Sequence, residues 1–173
     1  MSQEVRTDTP ISTAERTVEI AASPETVWGM VADPSMVPKL YHNVVSCVSA
    51  PPGAVAVGSR LNITTEIDGR RVQQSLELIE VVQNRKLSTK QLAGGLFKTY
   101  LSTFILEPSN KGTKLTQMVE FEVAAGYLGK MLSAPVVNTS VRKSILENLT
   151  NVKELAELKE LFSTSVPRWQ SSG

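Results

Sequence analysis

The hydrophobic pattern of the chain changes its period close to Gly126, and this change constrains the fold more than any other feature. From about residue 59 to residue 124, apolar and polar residues alternate, as they do in strands that bury one face. From Leu128 to Leu161, apolar residues instead recur every three or four positions, as in an amphipathic helix. Consecutive strands joined by short turns and followed by one long helix predict an α+β domain with an antiparallel sheet.

The segment that precedes these strands is predicted to form one strand and two short helices. Residues 13–22 alternate in the manner of a strand. Ser23 then has the side chain of an N-cap, and Pro24 suits the first position of a helix because its missing N–H has no partner there. The residue before Pro34 is pushed out of the helical region, which ends this helix. A second short helix and an extended segment at 44–50 are expected to follow.

Turn residues divide the alternating region into further strands. Asp68-Gly69 is a two-residue hairpin signal, because both positions tolerate a positive φ. Gly94-Gly95 and the PSNKG stretch before Thr113 separate the later strands. The sequence therefore predicts six or seven strands in a row. In the helical region, Pro135 is expected to produce a kink or to mark the start of the main helix.

The charged and metal-binding residue types exclude several classes of function. Eighteen basic and 17 acidic residues are scattered without a basic stripe, so we expect no nucleic-acid partner. One cysteine, Cys47, and one histidine, His42, cannot form a disulfide or a cysteine- and histidine-based zinc site, and we expect no metal or other cofactor. No apolar run is long enough to cross a bilayer, and the N-terminus has no signal-peptide core. These features predict a cytoplasmic location.

The chain is expected to contain one folded domain with two polar ends. Residues 1–12 lack periodicity and are predicted to be a flexible arm. The domain is predicted to span residues 13–161. Residues 162–173 form a loop-like tail that includes Trp169.

Three stretches resemble the START-like, or SRPBCC, superfamily, in particular its polyketide cyclase/dehydrase, lipid-transport and coenzyme Q-binding members. They are VEIAASPETVWGMVADPSMVPKLYHNVVSCV from Val18, LELIEVVQNRKL from Leu76, where Asn84 replaces the usual proline, and FILEPSNKGTKLT from Phe104. The resemblance covers about residues 14–160. It implies the helix-grip fold, in which a curved antiparallel sheet wraps around a long C-terminal helix and encloses an apolar cavity.

Strand parity and helical spacing predict which residues would line such a cavity. Four polar residues share a face with apolar neighbours: Gln74, Tyr100, Gln117 and Asn138. They either orient a mostly apolar ligand or bond to one another and to buried water. The predicted ligand-binding set is completed by Ser102, Phe104, Val119, Val141 and Ile145, and the predicted cavity mouth consists of Tyr41, His42 and Met131.

We assign no catalytic residue from the sequence. His42 has no nucleophile signature beside it and is expected in an exposed loop. Glu66, Glu120 and Glu122 alternate opposite the apolar faces of their strands and are expected to point to solvent.

Three functions from different classes follow from the resemblance. The first is a carrier or sensor that binds a hydrophobic small molecule, such as a lipid, an isoprenoid quinone or a polyketide-like compound. The second is a cyclase or dehydrase that uses the same cavity without a metal or nucleotide. The third is a protein-interaction or maturation module, which an exposed apolar patch would favour. The composition is also compatible with a homodimer.

Overall fold

The computed structural model describes residues 11–53, 55–124 and 134–165, which form one seven-stranded sheet with a long helix packed on it. The elements are, in chain order, β1 (Ser12–Ile20), α1 (Pro24–Val31), a 3-10 helix (Pro34–Met36), α2 (Val37–Leu40), β2 (Val44–Ala50), β3 (Arg60–Ile67), β4 (Arg70–Val82), β5 (Lys86–Gly94), β6 (Phe97–Ser109), β7 (Gly112–Val123) and α3 (Ala134–Thr164).

All neighbouring strands in the sheet are antiparallel, in the order β1-β7-β6-β5-β4-β3-β2. The first strand pairs with the last, so β1 and β2 form the two edges. The sheet curves around α3, and one hydrophobic core joins its inner face to α1 and α3. The predicted helix-grip fold, with two short helices after the first strand, is confirmed.

Two turns between strands depend on residues that tolerate a positive φ. Asp68 and Gly69 have φ values of 50° and 71°, which is the hairpin geometry that the sequence predicted. Asn84 has φ 60° between β4 and β5. Asparagine enters this left-handed region more readily than most residues, whereas proline cannot. With asparagine in place of the proline that is usual in the family, the chain can form a turn with a positive φ at this position.

Side-chain caps fix the short helices in place. The hydroxyl of Ser23 accepts a hydrogen bond from the backbone N–H of Thr26 at 3.2 Å, as expected for an N-cap. Asp33 accepts one from the N–H of Ser35 at 2.9 Å and so begins the 3-10 helix. From α1, Val27 and Met30 enter the core. The short helices thus close one end of the sheet.

The two halves of α3 differ in burial. Leu149, Val152 and Ala156, from the middle of the helix onward, are at most 1% exposed, and Ile145 one turn earlier is 2% exposed. In its first half, Val137 and Val141 are only partly buried and Val136 is 47% exposed. Pro135 lies in the first turn described, where a proline leaves no hydrogen bond unmade. The first half of the helix therefore covers space that the core does not fill.

Polar contacts anchor the second half of α3 to the rest of the domain. Asn151 donates to the carbonyl oxygen of Leu40 at 2.7 Å, and Lys153 donates to that of Glu19 at the same distance. Glu157 accepts a hydrogen bond from the backbone N–H of Ala21 at 2.8 Å. This bond, together with Lys153, holds the pKa of Glu157 below its ordinary value.

None of the helices in the described part of the chain has an apolar stretch of the length that a membrane span requires.

Candidate binding cavity

A cavity of about 550 Å³ lies between the first half of α3 and the inner face of the sheet. Its volume falls within the range of small-molecule binding sites. Aliphatic and aromatic side chains form most of its wall: Leu61, Ile63, Val72, Leu76, Leu87, Phe97, Phe104, Val119, Val123, Val137, Val141 and Ile145.

Strand parity placed most of the predicted site residues correctly in space. The cavity wall contains Gln74, Tyr100, Ser102, Phe104, Gln117, Val119, Val141 and Ile145. They come from three strands and from α3, so only the fold brings them together. Their role in binding a ligand stays a prediction.

Asn138 does not lie in this cavity, and its predicted position there is wrong. Its side chain points toward the edge strand β1, where Nδ2 lies 3.5 Å from the carbonyl oxygen of Thr13. It shares a shallow groove with Ser12 and Arg142. The apolar stripe of α3 is broad, and the spacing of its residues does not show which of them face the sheet edge.

Two of the three residues predicted for the cavity mouth line the cavity, at different depths. His42 is exposed at the cavity rim, in the loop where it was expected. Tyr41 also lines the cavity but packs against the core. Met131 lies outside the described residues.

Gln117 carries a buried polar group that the protein satisfies only in part. The side chain is 1% exposed, and its Nε2 donates to Oγ of Ser102 at 3.1 Å. Its Oε1 is buried and accepts no hydrogen bond from any residue in the described ranges. Leaving such an atom unpaired costs about 1–3 kcal/mol. The wall of the cavity therefore holds a free acceptor.

Two tyrosines add hydroxyl groups close to Gln117. Burial raises the pKa of Tyr41 well above its ordinary value of 10.0, and Tyr100 raises it further, while the neighbouring Gln117 amide lowers it. Burial also raises the pKa of Tyr100, with Ser102 acting in the opposite direction. Both phenols are therefore neutral near pH 7 and can donate as well as accept hydrogen bonds.

Asn148 is a cavity residue that the sequence analysis missed. It lines the cavity from α3 and is 6% exposed. Its side chain makes no hydrogen bond to a described residue, and its polar atoms stay open to the cavity, since only Oε1 of Gln117 is both buried and without a partner there. The signal was present in the sequence, because Asn148 follows Ile145 by three positions and precedes Val152 by four.

Gln74 differs from Gln117 because its amide already has a protein partner. Its Nε2 donates to Oε1 of Gln91 at 2.9 Å, and Nε2 of Gln91 donates to the carbonyl oxygen of Phe97 at 3.0 Å. This chain of hydrogen bonds crosses the Gly94-Gly95 turn. Of the two roles considered for Gln74, these bonds favour the structural one, in which its amide bonds to the protein rather than to a ligand.

One of the three glutamates expected to face solvent is buried. Glu122 is 8% exposed and forms an ion pair of 2.7 Å with Lys98. The register of β6 and β7 shifts between Phe97 and Thr99, which places Lys98 at an irregularity of the sheet next to Glu122. The expectation that Glu122 faces solvent was wrong, because strand parity does not show that the side chain of Lys98 covers it. Glu66 is exposed and Glu120 partly exposed.

Residues 11–53, 55–124 and 134–165 contain no group of three or more His, Cys, Asp or Glu side chains arranged to hold a metal ion. The only ionisable side chains among the described lining residues are those of Tyr41, His42 and Tyr100.

Comparison with known proteins places the sequence beside one family. Residues 12–157 match the sequence model of the family described as polyketide cyclase / dehydrase and lipid transport. No curated protein matches the chain with significant similarity.

Several solved structures share the fold at low sequence identity. The di-domain ARO/CYC StfQ from the steffimycin biosynthetic pathway superposes with a TM-score of 0.73 at 14% identity, over 90% of this chain and 53% of its own length. TTHA0849 from Thermus thermophilus gives 0.68 at 20% identity, over 91% and 100%. A START superfamily protein from Mycobacterium smegmatis gives 0.62 at 20% identity, over 87% and 98%.

Proposed function

The chain belongs to the polyketide cyclase / dehydrase and lipid transport family, and from this premise we propose that it binds an apolar small molecule in the cavity between α3 and the sheet, as a carrier or sensor. The observation that carries this proposal is the cavity itself. A volume of about 550 Å³ left open inside a domain is costly unless something fills it, because protein interiors are otherwise close-packed. The cytoplasmic location and the homodimer stay predictions.

A cyclase or dehydrase activity in the same cavity is the second candidate. The observation in its favour is the pair of tyrosines, since Tyr41 and Tyr100 hold neutral hydroxyls on the cavity wall. Neutral phenols can donate a hydrogen bond or a proton to a carbonyl oxygen. Turnover of a reactive polyketide, measured with Tyr41→Phe and Tyr100→Phe, would distinguish this candidate from binding alone.

The interaction-module candidate has support at the other end of the molecule. Leu158, Leu161 and Phe162 are 51%, 65% and 67% exposed on the last turns of α3. Their spacing places them on one side of the helix. Loss of a cellular function in Leu161→Glu, with unchanged binding in the cavity, would favour this candidate.

The binding proposal is tested by filling the cavity from the helix. In Val141→Trp, the indole should occupy the space beside Ile145 and weaken the binding of the neutral fluorescent dye Nile red by at least about tenfold, since contact area drives such binding. The matched control is Leu146→Trp, on the same helix at a side chain that is 45% exposed and outside the cavity wall. Circular dichroism verifies that both variants fold.

We expect the Leu146→Trp protein to bind the dye as the unmodified protein does. Equal dye affinity in both folded variants would show that the cavity is not the binding site.

A further inference from the structure

We infer that the cavity selects an uncharged ligand that carries a hydroxyl group, and that the side-chain amides of Gln117 and Asn148 hold this group. The inference deepens the proposed function and rests on it. It adds the chemical class of the ligand and names Asn148 as a binding residue.

The first step is the state of the two amides. Gln117 and Asn148 are 1% and 6% exposed, and both line the cavity. Oε1 of Gln117 is buried without a donor in the described ranges, whereas the amide of Asn148, which makes no hydrogen bond to a described residue, keeps its polar atoms open to the cavity. An amide oxygen can only accept, so the group that completes this site must contain an O–H or N–H. A ketone, ether or hydrocarbon cannot supply one.

The second step is the location of the amides at one end of the cavity. Gln117 pairs with Arg16 of β1, and Lys153 of α3 donates to the carbonyl oxygen of Glu19, three residues further along β1. Asn148 precedes Lys153 by five residues, roughly 7 Å of helix, so it lies close to the level of Gln117 along β1. Asn148 precedes Asn151 by one turn of α3, and Asn151 donates to the carbonyl oxygen of Leu40 at 2.7 Å. The two amides therefore belong to the end that α2 closes.

The third step concerns charge. Among the lining residues in the described ranges, there is no Asp, Glu, Lys or Arg. Apart from His42 at the exposed rim, no lining residue in the described ranges can carry a positive charge, so a carboxylate held between Gln117 and Asn148 would lose its hydration without gaining a buried counterion, which is strongly unfavourable. Burial also keeps the Tyr41 and Tyr100 hydroxyls neutral near pH 7 because it raises the pKa of each phenol. A neutral hydroxyl fits these surroundings, and a carboxylate or phosphate does not.

The fourth step is the apolar remainder of the cavity. Toward the N-terminus of α3, the wall includes the apolar side chains of Val136, Val137 and Phe97, while the amide of Gln74, which also lines the cavity, is already bonded to Gln91. Val137 lies eleven residues before Asn148, which is about 16 Å along a helix. An alkyl or ring system can extend over this length with its hydroxyl at the α2 end.

The test compares three ligands of equal chain length in displacement of Nile red at pH 8. These are decan-1-ol, its methyl ether and decanoate. We expect the alcohol to bind about 2- to 10-fold more tightly than the ether, which is the effect of one net hydrogen bond. Decanoate should bind at least about 100-fold more weakly than the alcohol, because its charge is buried without a partner.

Three variants locate the preference. Gln117→Met and Asn148→Leu keep the side-chain size but remove the amide, and each should bring the alcohol-to-ether ratio toward one. Gln73→Met makes the same change on the exposed outer face of β4 and should leave the ratio as in the unmodified protein. The unmodified protein tests the ligand class even where a variant does not fold.

The outcomes separate the two proposals. If Nile red is excluded by Val141→Trp but the alcohol, ether and decanoate bind alike, the cavity binds apolar molecules and the hydroxyl inference is wrong. An unchanged ratio in both amide variants would equally contradict the assignment of Gln117 and Asn148. If no ligand competes with the dye and Val141→Trp binds as the unmodified protein does, both proposals fail.

Discussion

The oxygen Oε1 of Gln117 shows how one atom couples stability to function. Methionine or leucine at this position would fill the same space without a buried unpaired acceptor. A polar group kept in an apolar wall at a cost to stability is typical of a recognition site. Ser102 accepts from Nε2 of the same amide and Tyr41 also lines the cavity, yet neither donates to Oε1.

The glycine that ends β5, Gly94, gives a prediction for single residues. Gly94 has φ 71°, and a Cβ added there would come 2.1 Å from the carbonyl oxygen of Gln73. Gly94→Ala should therefore lower the free energy of unfolding by about 3 kcal/mol or more, through backbone strain and a steric clash. Gly69 has the same φ but open space around it. Gly69→Ala should cost only about 1–2 kcal/mol of strain.

Urea unfolding of both variants measures this difference. Equal losses of stability in the two proteins would contradict the predicted clash at Gly94.

The contrast between Asn138 and Asn148 shows what sequence can predict about single residues of a helix. The two residues are about 80° apart around α3, at 100° per residue. Both fit a broad apolar stripe, but only the angle at which α3 crosses the sheet decides which one faces the cavity. That angle depends on long-range packing against β1 and α1, which local spacing does not contain. On strands the period is two, so parity placed Tyr100, Ser102 and Gln117 correctly.

At the scale of elements, the two halves of α3 differ in how firmly they are bound to the rest of the domain. The second half is held by buried apolar side chains and by bonds from Asn151, Lys153 and Glu157. In the first half, the described hydrogen bond to β1 is the long one from Asn138 to the carbonyl oxygen of Thr13. We expect hydrogen exchange to be faster in the first half, which would let a ligand enter beneath it.

The anchor at Glu157 makes a prediction about pH. Because the pKa of Glu157 is lowered in the folded protein, the charged form stabilises the fold at pH values above the ordinary 4.5. This contribution disappears as the pH falls through the lowered pKa. Glu157→Gln keeps an acceptor for Ala21 but loses the ion pair with Lys153. It should reduce the free energy of unfolding at pH 7 by about 1 kcal/mol or less, since the pair is partly exposed.

Thermal unfolding of both proteins from pH 7 to pH 3 checks this prediction. The gap in melting temperature should close as the pH falls below 4.5, where protonated glutamate and glutamine are alike. A gap that widens toward acid pH would contradict the role assigned to Glu157.

Features whose geometry depends only on neighbouring residues were predictable from the sequence. Features that depend on how distant segments pair or pack were not. The N-cap at Ser23 and the hairpin at Asp68-Gly69 need only neighbouring residues, and the structure has both. The burial of Glu122 under Lys98 depends on a register shift between two strands, for which the sequence has no clear signal. The turn at Asn84 was visible as a departure from the family pattern, but its positive φ was not.

At the scale of the whole molecule, the cavity results from a mismatch between the curved sheet and a helix that is buried along only half its length. The residues from β3 to β7 form a concave wall, and the first half of α3 lies above it without filling it. The resemblance to the family predicted such a cavity and strand parity predicted Gln74, Tyr100, Ser102 and Gln117 in its wall, whereas Asn148 and the unpartnered Oε1 of Gln117 came from the structure. In the proposed function, the shape of the cavity and the amides of Gln117 and Asn148 together select the ligand.

The most direct measurement is a crystal structure with 10-bromodecan-1-ol, using anomalous scattering to locate the bromine. We predict one strong bromine peak between α3 and the sheet, near Val137 and Phe97, with density that leads to the amides of Gln117 and Asn148. A bromine bound only outside the cavity, for example beside Leu161 and Phe162, would contradict the claim that this cavity is the binding site.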